Sequence, residues 1–344
     1  MEAGDAFNDQ GQNVATPEVV LARARLIVDA FNELEVDAYA PGERDLAFGF
    51  ESFKALATRA KFSVLSANLS LGDGTKPFSP SILKEVGKLK VGIIGLTGQR
   101  IVSSPEVLAA NGVIIGDPTA AAQAEAVTLA HQGADLILVL GHLDPGEEDA
   151  VALGVPQVRF IIGGHAARML HQPRPIAADT TSPPRAWALD AGSKGKYLGK
   201  LAVYLPLEAG APLTFADLNT RMELRGQTLA LEKDIERTRD NITKAKTESA
   251  GSAEQREKRI KGLEAAIERN EKTLKERRAA LAAIRPPTDT EGLLRNELLP
   301  VDMKLAADPE IDKAVTAFLD ATKTATPKPA EAVPPVPTPP KPRK

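Results

Sequence analysis

Over the first 205 positions the apolar residues switch between two spacings. After Thr16-Pro17-Glu18, a capping residue with proline at the first helical position, Val20, Ala24, Ile27, Val28 and Phe31 recur every three or four residues. That spacing predicts an amphipathic helix. Short apolar runs at 38–40, 62–67, 90–96, 135–140 and 159–162 predict strands. Several of these, such as Val91-Gly92-Ile93-Ile94, are nearly continuous rather than alternating, as strands covered on both faces are. Two later runs, 186–191 and 199–205, predict edge strands or a second sheet. Alternating helical and strand segments predict a layered α/β domain over residues 1–205.

Beyond Leu205 the period becomes heptad. Leu224, Thr228, Leu231, Ile235, Thr238, Ile242 and Ala245 fall at steps of four and three, and so do Ala253, Arg256, Ile260, Leu263, Ile267, Asn270, Leu274, Arg277, Leu281 and Ile284. Glu248-Ser249-Ala250-Gly251-Ser252 between them suits a reversal. Residues 219–285 are therefore expected to form an antiparallel helical hairpin, a structural or self-associating arm, or else a partner-binding one through Asn270. A linker over 206–218 precedes it. A short helix is expected from about Asp308 to Thr322 within the C-terminal helical segment 286–324, and the proline-rich tail 325–344 cannot bury a core and is expected to be disordered.

Composition narrows the function. A chain of 344 residues, 43% hydrophobic, is long enough for a full core. Its formal net charge of −3 gives no broad attraction to nucleic acid or to an anionic membrane. The absence of cysteine excludes disulfides, thiolate metal sites and a cysteine nucleophile. No apolar run is long enough for a membrane span, and the given N-terminus lacks the regions of a signal peptide.

Two segments share one design: ADLILVLGH, ending at His142, and RFIIGGH, ending at His165. Each is an apolar strand that finishes in glycine and then histidine. In a parallel sheet the carboxyl ends of neighbouring strands share an edge, so the two imidazoles are expected to converge there. Gly4-Asp5 and Gly42-Glu43-Arg44-Asp45 are acidic, glycine-led turns that can reach the same edge. Carboxylates with neutral imidazoles make an oxygen and nitrogen shell suited to zinc, manganese or iron.

In the order Gly4-Asp5, Gly42-Glu43-Arg44-Asp45, Ser66-Ala67-Asn68, Lys90 to Thr97, Gly141-His142 and Gly164-His165, with GSKGKYLGKL at 192–201, the chain resembles the calcineurin-like metallophosphoesterases, in their 5′-nucleotidase branch. The resemblance implies a β-sandwich flanked by helices (α/β/β/α), with the hairpin appended, and a two-metal site at the strand ends. It places the family's bridging aspartate on Asp5, its second-metal asparagine on Glu43, and the two histidines of that metal on His142 and His165. The family's catalytic histidine falls on Arg44 and a further metal histidine on Ala167.

The family's opening Asp-x-His motif has no counterpart, so either the start is internal to a longer protein, which would then be periplasmic or cell-envelope, or the domain is truncated; the first is the expectation. The expectation is one divalent ion on Asp5, Glu43, His142 and His165. Arg44 is too basic to be a general acid but suits a phosphate. The substrate would be a phosphate ester; nucleotide specificity is unsupported by a chain only 4% aromatic. Two functions remain open: a metal-dependent phosphoric ester hydrolase, or a non-catalytic relative that assembles through its hairpin.

Overall fold

The computed structural model describes residues 1–7, 16–47, 49–102, 108–109, 112–206, 214–247, 252–302 and 304–322. It divides into two compact units, one of Met1–Arg168, Gly192–Lys196 and Val301–Lys344, the other of Met169–Ala191 and Tyr197–Pro300.

The first unit runs α1 (Pro17–Glu33), β1 (Ala38–Tyr39), α2 (Glu43–Ala47), α3 (Phe50–Arg59), β2 (Ser63–Val64), β3 (Leu69–Leu71), β4 (Ser81–Val86), β5 (Leu89–Thr97), β6 (Val113–Ile115), α4 (Pro118–His131), β7 (Leu136–His142), α5 (Pro145–Gly154) and β8 (Val158–Gly163). Strands β5, β7 and β8 are parallel neighbours, with β4 antiparallel on the outer side of β5. Every residue of β7 is buried, which accounts for its unbroken apolar run. Register places Thr97 opposite His142 and Gly141 opposite Gly163, so β5, β7 and β8 finish level on one edge.

Helices α4 and α5 each start on an aspartate followed by proline. Asp117 accepts from the Thr119 and Ala120 amides, and Asp144 closes a capping box with Glu147. The short β1–β2 pair is parallel, and Glu2 bridges to Tyr39 as its neighbour. Because Glu2 and β1 run in the same direction, the turns that follow them emerge at the same end. An aromatic core holds that end: Phe7 stacks on Tyr39 with ring centroids 4.5 Å apart, packed among Phe53, Leu46, Val28 and Leu69.

The second unit contains β9 (Arg174–Ile176), β10 (Ala186–Leu189), β11 (Tyr197–Tyr204), β12 (Phe215–Asp217), α6 (Leu218–Thr247), α7 (Ala253–Ala283) and β13 (Gly292–Pro300). β9 and β10 are antiparallel, and β13 lies between β11 and β12 in a three-stranded sheet. Helices α6 and α7 form the expected hairpin. Arg239 pairs with Glu271 and Arg278 with Glu232, each at 2.7 Å. Later residues of one helix thus meet earlier residues of the other, which makes the helices antiparallel. Thr228, Ile235, Ile242, Ala245 and Leu274 are buried in the seam.

The helix expected at about 308–322 forms as α8 (Pro309–Thr322), in the first unit, while residues 292–300 of the same segment, 286–324, form strand β13, which is not among the expected strands. The buried positions of β13, Gly292, Leu294 and Asn296, do alternate, but an asparagine on the buried face and apolar pairs at 293–294 and 298–299 hide the period. The expected linker loses its end to β12 and the start of α6. Residues 207–213 of that linker, 248–251 of the reversal and the tail 325–344 lie outside the described residues. Among the described residues no helix is long and apolar enough to cross a membrane.

Candidate metal centre

His142 is the last residue of β7 and is 2% exposed. Its Nδ1 lies 2.5 Å from the Ala3 carbonyl oxygen. A carbonyl only accepts, so Nδ1 carries the proton, and Nε2 is the atom turned toward the rest of the cluster. That nitrogen lies 2.9 Å from Glu43 Oε2 and 3.2 Å from Asp5 Oδ2. His165, two residues beyond β8, brings its Nδ1 to 3.5 Å from the same Glu43 oxygen, and the two imidazoles meet edge to face at 5.2 Å. Ligand atoms of Glu43, His142 and His165 all lie within 4.8 Å of one another, and Asp5 joins the cluster through His142.

The local backbone is shaped for this approach. Gly4 has φ +93°, and a Cβ there would stand 2.7 Å from His142 Nδ1, so the turn requires glycine. Asp5 itself has φ +62°, a left-handed conformation that costs a non-glycine residue and needs support from its surroundings. The support is Asp45. Its buried carboxylate accepts from the Asp5 amide at 2.9 Å, the Phe7 amide at 3.3 Å, the Gly42 amide at 2.9 Å and the Tyr39 hydroxyl at 2.6 Å. One side chain therefore ties the Gly4-Asp5 turn to the Gly42-Glu43 turn. Asp45 is visible in the sequence only as the fourth residue of its turn, with nothing to distinguish it from a solvated acid. The Arg44 amide completes the link by donating to Asp5 Oδ1 at 2.9 Å.

Electrostatics follow from this crowding. Burial works against a charged His142, yet the Asp5 and Glu43 carboxylates and the Ala3 carbonyl outweigh it and lift the imidazole to about 10. Burial likewise opposes charge on Glu43, but the His142 and His165 imidazoles hold it down to about 2. Asp45 goes the other way: burial raises it to about 6 despite the hydrogen bonds from Tyr39, Gly42 and Asp5.

The donor set fits a divalent cation. Glu43 Oε2 and His142 Nε2 are both buried and, although 2.9 Å apart, make no hydrogen bond of acceptable geometry. Two such atoms facing each other are costly unless a proton on Nε2 or a metal ion lies between them. All five residues singled out by sequence, Asp5, Glu43, Arg44, His142 and His165, come together here. Arg44 is half exposed, its Nε 3.4 Å from Asp5 Oδ2 and 3.9 Å from Glu43 Oε1. Ala167 offers no ligand and adopts φ +49°.

Comparison with known proteins gives a consistent picture. No family model matches the chain. A 5′-nucleotidase of Diplobatis ommata is 29% identical over 184 residues, 48% of this chain and 31% of that protein. A snake venom 5′-nucleotidase of Crotalus adamanteus is 28% identical over 237 residues, 63% of this chain and 38% of its own length. The chain thus spans about a third of the length of these curated relatives. Among solved structures, the sulfate thiohydrolase SoxB of Thermus thermophilus shares the fold, with a TM-score of 0.50 at 17% identity over 58% of this chain and 35% of SoxB.

Proposed function

We propose that this chain, which belongs to the 5′-nucleotidase branch of the calcineurin-like metallophosphoesterases, holds a divalent metal ion on Asp5, Glu43, His142 and His165 and hydrolyses a phosphate ester. The observation that carries the reading is the facing pair of His142 Nε2 and Glu43 Oε2, buried and without hydrogen bonds. When bound, the ion would polarise a phosphoryl oxygen and acidify water. The remaining chemistry belongs to the chain. The Ala3 carbonyl fixes the His142 tautomer, as an outer partner of a ligating histidine does. Asp45 holds Asp5 and Glu43 in register. Arg44, whose planar fork suits a phosphate, stands at the open side of the cluster. The relatives are named as nucleotidases, which makes a nucleoside monophosphate the first substrate to try. Location outside the cytoplasm belongs to the same proposal, supported by a relative named for venom.

A second reading has its own support: Arg44 and Ala167 contribute neither a general acid nor a ligand, so the chain binds metal without turnover. One experiment separates the two. The full chain is stripped with chelator and reloaded with zinc, manganese or iron, and bound metal is counted. Hydrolysis of AMP and of p-nitrophenyl phosphate is then followed for wild type and His142→Ala. Metal-dependent turnover lost in the variant supports the hydrolase. Bound metal without turnover supports the second reading, and no bound metal overturns both.

A further inference from the structure

We propose that Arg44 is the second cation of this centre: its guanidinium takes the solvent side of Asp5 and Glu43 while a single divalent ion takes the buried side. The inference rests on the metal reading above. Asp5 Oδ2 is shared, 3.2 Å from His142 Nε2 and 3.4 Å from Arg44 Nε. Glu43 divides its two oxygens: Oε2 faces the imidazoles at 2.9 and 3.5 Å, and Oε1 faces Arg44 at 3.9 Å. The main chain reinforces the arrangement, because the Arg44 amide donates to Asp5 Oδ1. Glu43 therefore stands between the two imidazoles and the guanidinium, and Asp5 between His142 and the guanidinium.

Two consequences follow. An arginine keeps its proton under all relevant conditions, so a second divalent ion on that side would meet a fixed positive charge. The site is built for one metal. Charge arithmetic gives the other consequence. Asp5, Glu43 and the Asp45 carboxylate behind them, one guanidinium and two neutral imidazoles sum to minus two; one divalent ion makes the loaded centre neutral. With a neutral residue in place of Arg44 the loaded centre would be minus one and would repel a phosphate dianion. Arg44 is thus what lets the centre accept a phosphate dianion, and it does so at the expense of metal affinity.

The test compares wild type, Arg44→Gln and Arg44→Lys as full chains stripped of metal, with folding checked by circular dichroism. Manganese is titrated by calorimetry, its coordination state is read by electron paramagnetic resonance, and inorganic phosphate is titrated onto the loaded protein. Wild type is expected to bind one manganese ion with the spectrum of an isolated centre. Arg44→Gln should bind manganese about tenfold more tightly, as removal of a screened unit charge near a divalent ion implies. It should bind phosphate about tenfold or more weakly. Arg44→Lys should keep the wild-type metal affinity. Misfolding would weaken both ligands, so the opposite signs are diagnostic. Two manganese ions per wild-type chain would overturn the proposal, as would an Arg44→Gln chain whose two affinities move together or not at all. If no variant binds manganese, the metal reading itself fails; if wild type binds one ion and Arg44→Gln matches it, only the role of Arg44 fails.

Discussion

His142 Nε2 and Glu43 Oε2, both buried, face each other at 2.9 Å out of hydrogen-bond geometry, while the other nitrogen of the ring is committed to the Ala3 carbonyl. The pair can be satisfied in two ways, by a proton on Nε2 or by a metal ion, and the two compete.

That competition sets a pH dependence. In the metal-free chain His142 is raised from 6.5 to about 10, so its contribution to stability is fully present below about 6.5 and is lost as pH rises through about 10. Glu43 is lowered from 4.5 to about 2, so its contribution is present above about 4.5 and is lost as pH falls through about 2. The His142–Glu43 pair therefore supports the fold most between about 4.5 and 6.5. A metal displaces the proton, so the rise in melting temperature on adding zinc or manganese should grow from about pH 6 to about pH 9. Melting curves with and without chelator across that range check it; a rise that shrinks with pH would exclude Nε2 as the ligand.

Removing Asp45 should damage the site without touching a ligand. Asp45→Asn keeps one acceptor oxygen but turns an NH2 group toward donors, leaving some of the Asp5, Phe7, Gly42 and Tyr39 hydrogens unmet. The expected cost is about 2 to 4 kcal/mol of stability, read as a lower denaturation midpoint, together with weaker metal binding. A variant with wild-type stability would remove Asp45 from the role assigned to it.

Gly42→Ala tests the approach of the two turns. A methyl group there would collide with Asp5 Oδ1 and stand 2.8 Å from its Cγ and 3.0 Å from its main-chain nitrogen, so the carboxylate and the backbone that Asp45 pins would both have to shift. Metal affinity and melting temperature should therefore fall together. A variant that keeps wild-type values of both, measured by calorimetry and thermal denaturation, would contradict this.

The hairpin gives a separate prediction. Ile235 is buried in the seam between α6 and α7, so Ile235→Ala should cost about 2 to 4 kcal/mol locally. The helical signal near 222 nm should then be lost at lower denaturant. Exchanging the exposed pair Arg239 and Glu271 for alanines should cost less than about 1 kcal/mol.

Much of this was legible in the residues. His142 and His165 announce themselves because an apolar run that ends in glycine and histidine places a polar ring at a strand terminus. The hairpin is legible because a heptad over some sixty residues has no other simple explanation. What the sequence hides is tertiary. Asp45 looks like any acid in a turn until Tyr39 and the Asp5 and Gly42 amides converge on it. Asn296 disguises β13 because its side-chain amide donates to the Leu170 carbonyl and its main-chain amide to Asn219 Oδ1, partners 126 and 77 residues away in the chain. Period and propensity register neighbours along the chain, and these contacts join positions far apart.

The grip of Asp45 on three main-chain amides means that the frame of the centre is written in backbone, not in its ligands. Asp5, Glu43 and Arg44 hang from turns that Asp45 would continue to pin if their side chains were exchanged. A centre of that kind is open to revision one side chain at a time: an imidazole or an amide in place of Glu43 would alter which ion it prefers while the loops keep their places. In such a scaffold selection can tune or abandon chemistry without dismantling the fold.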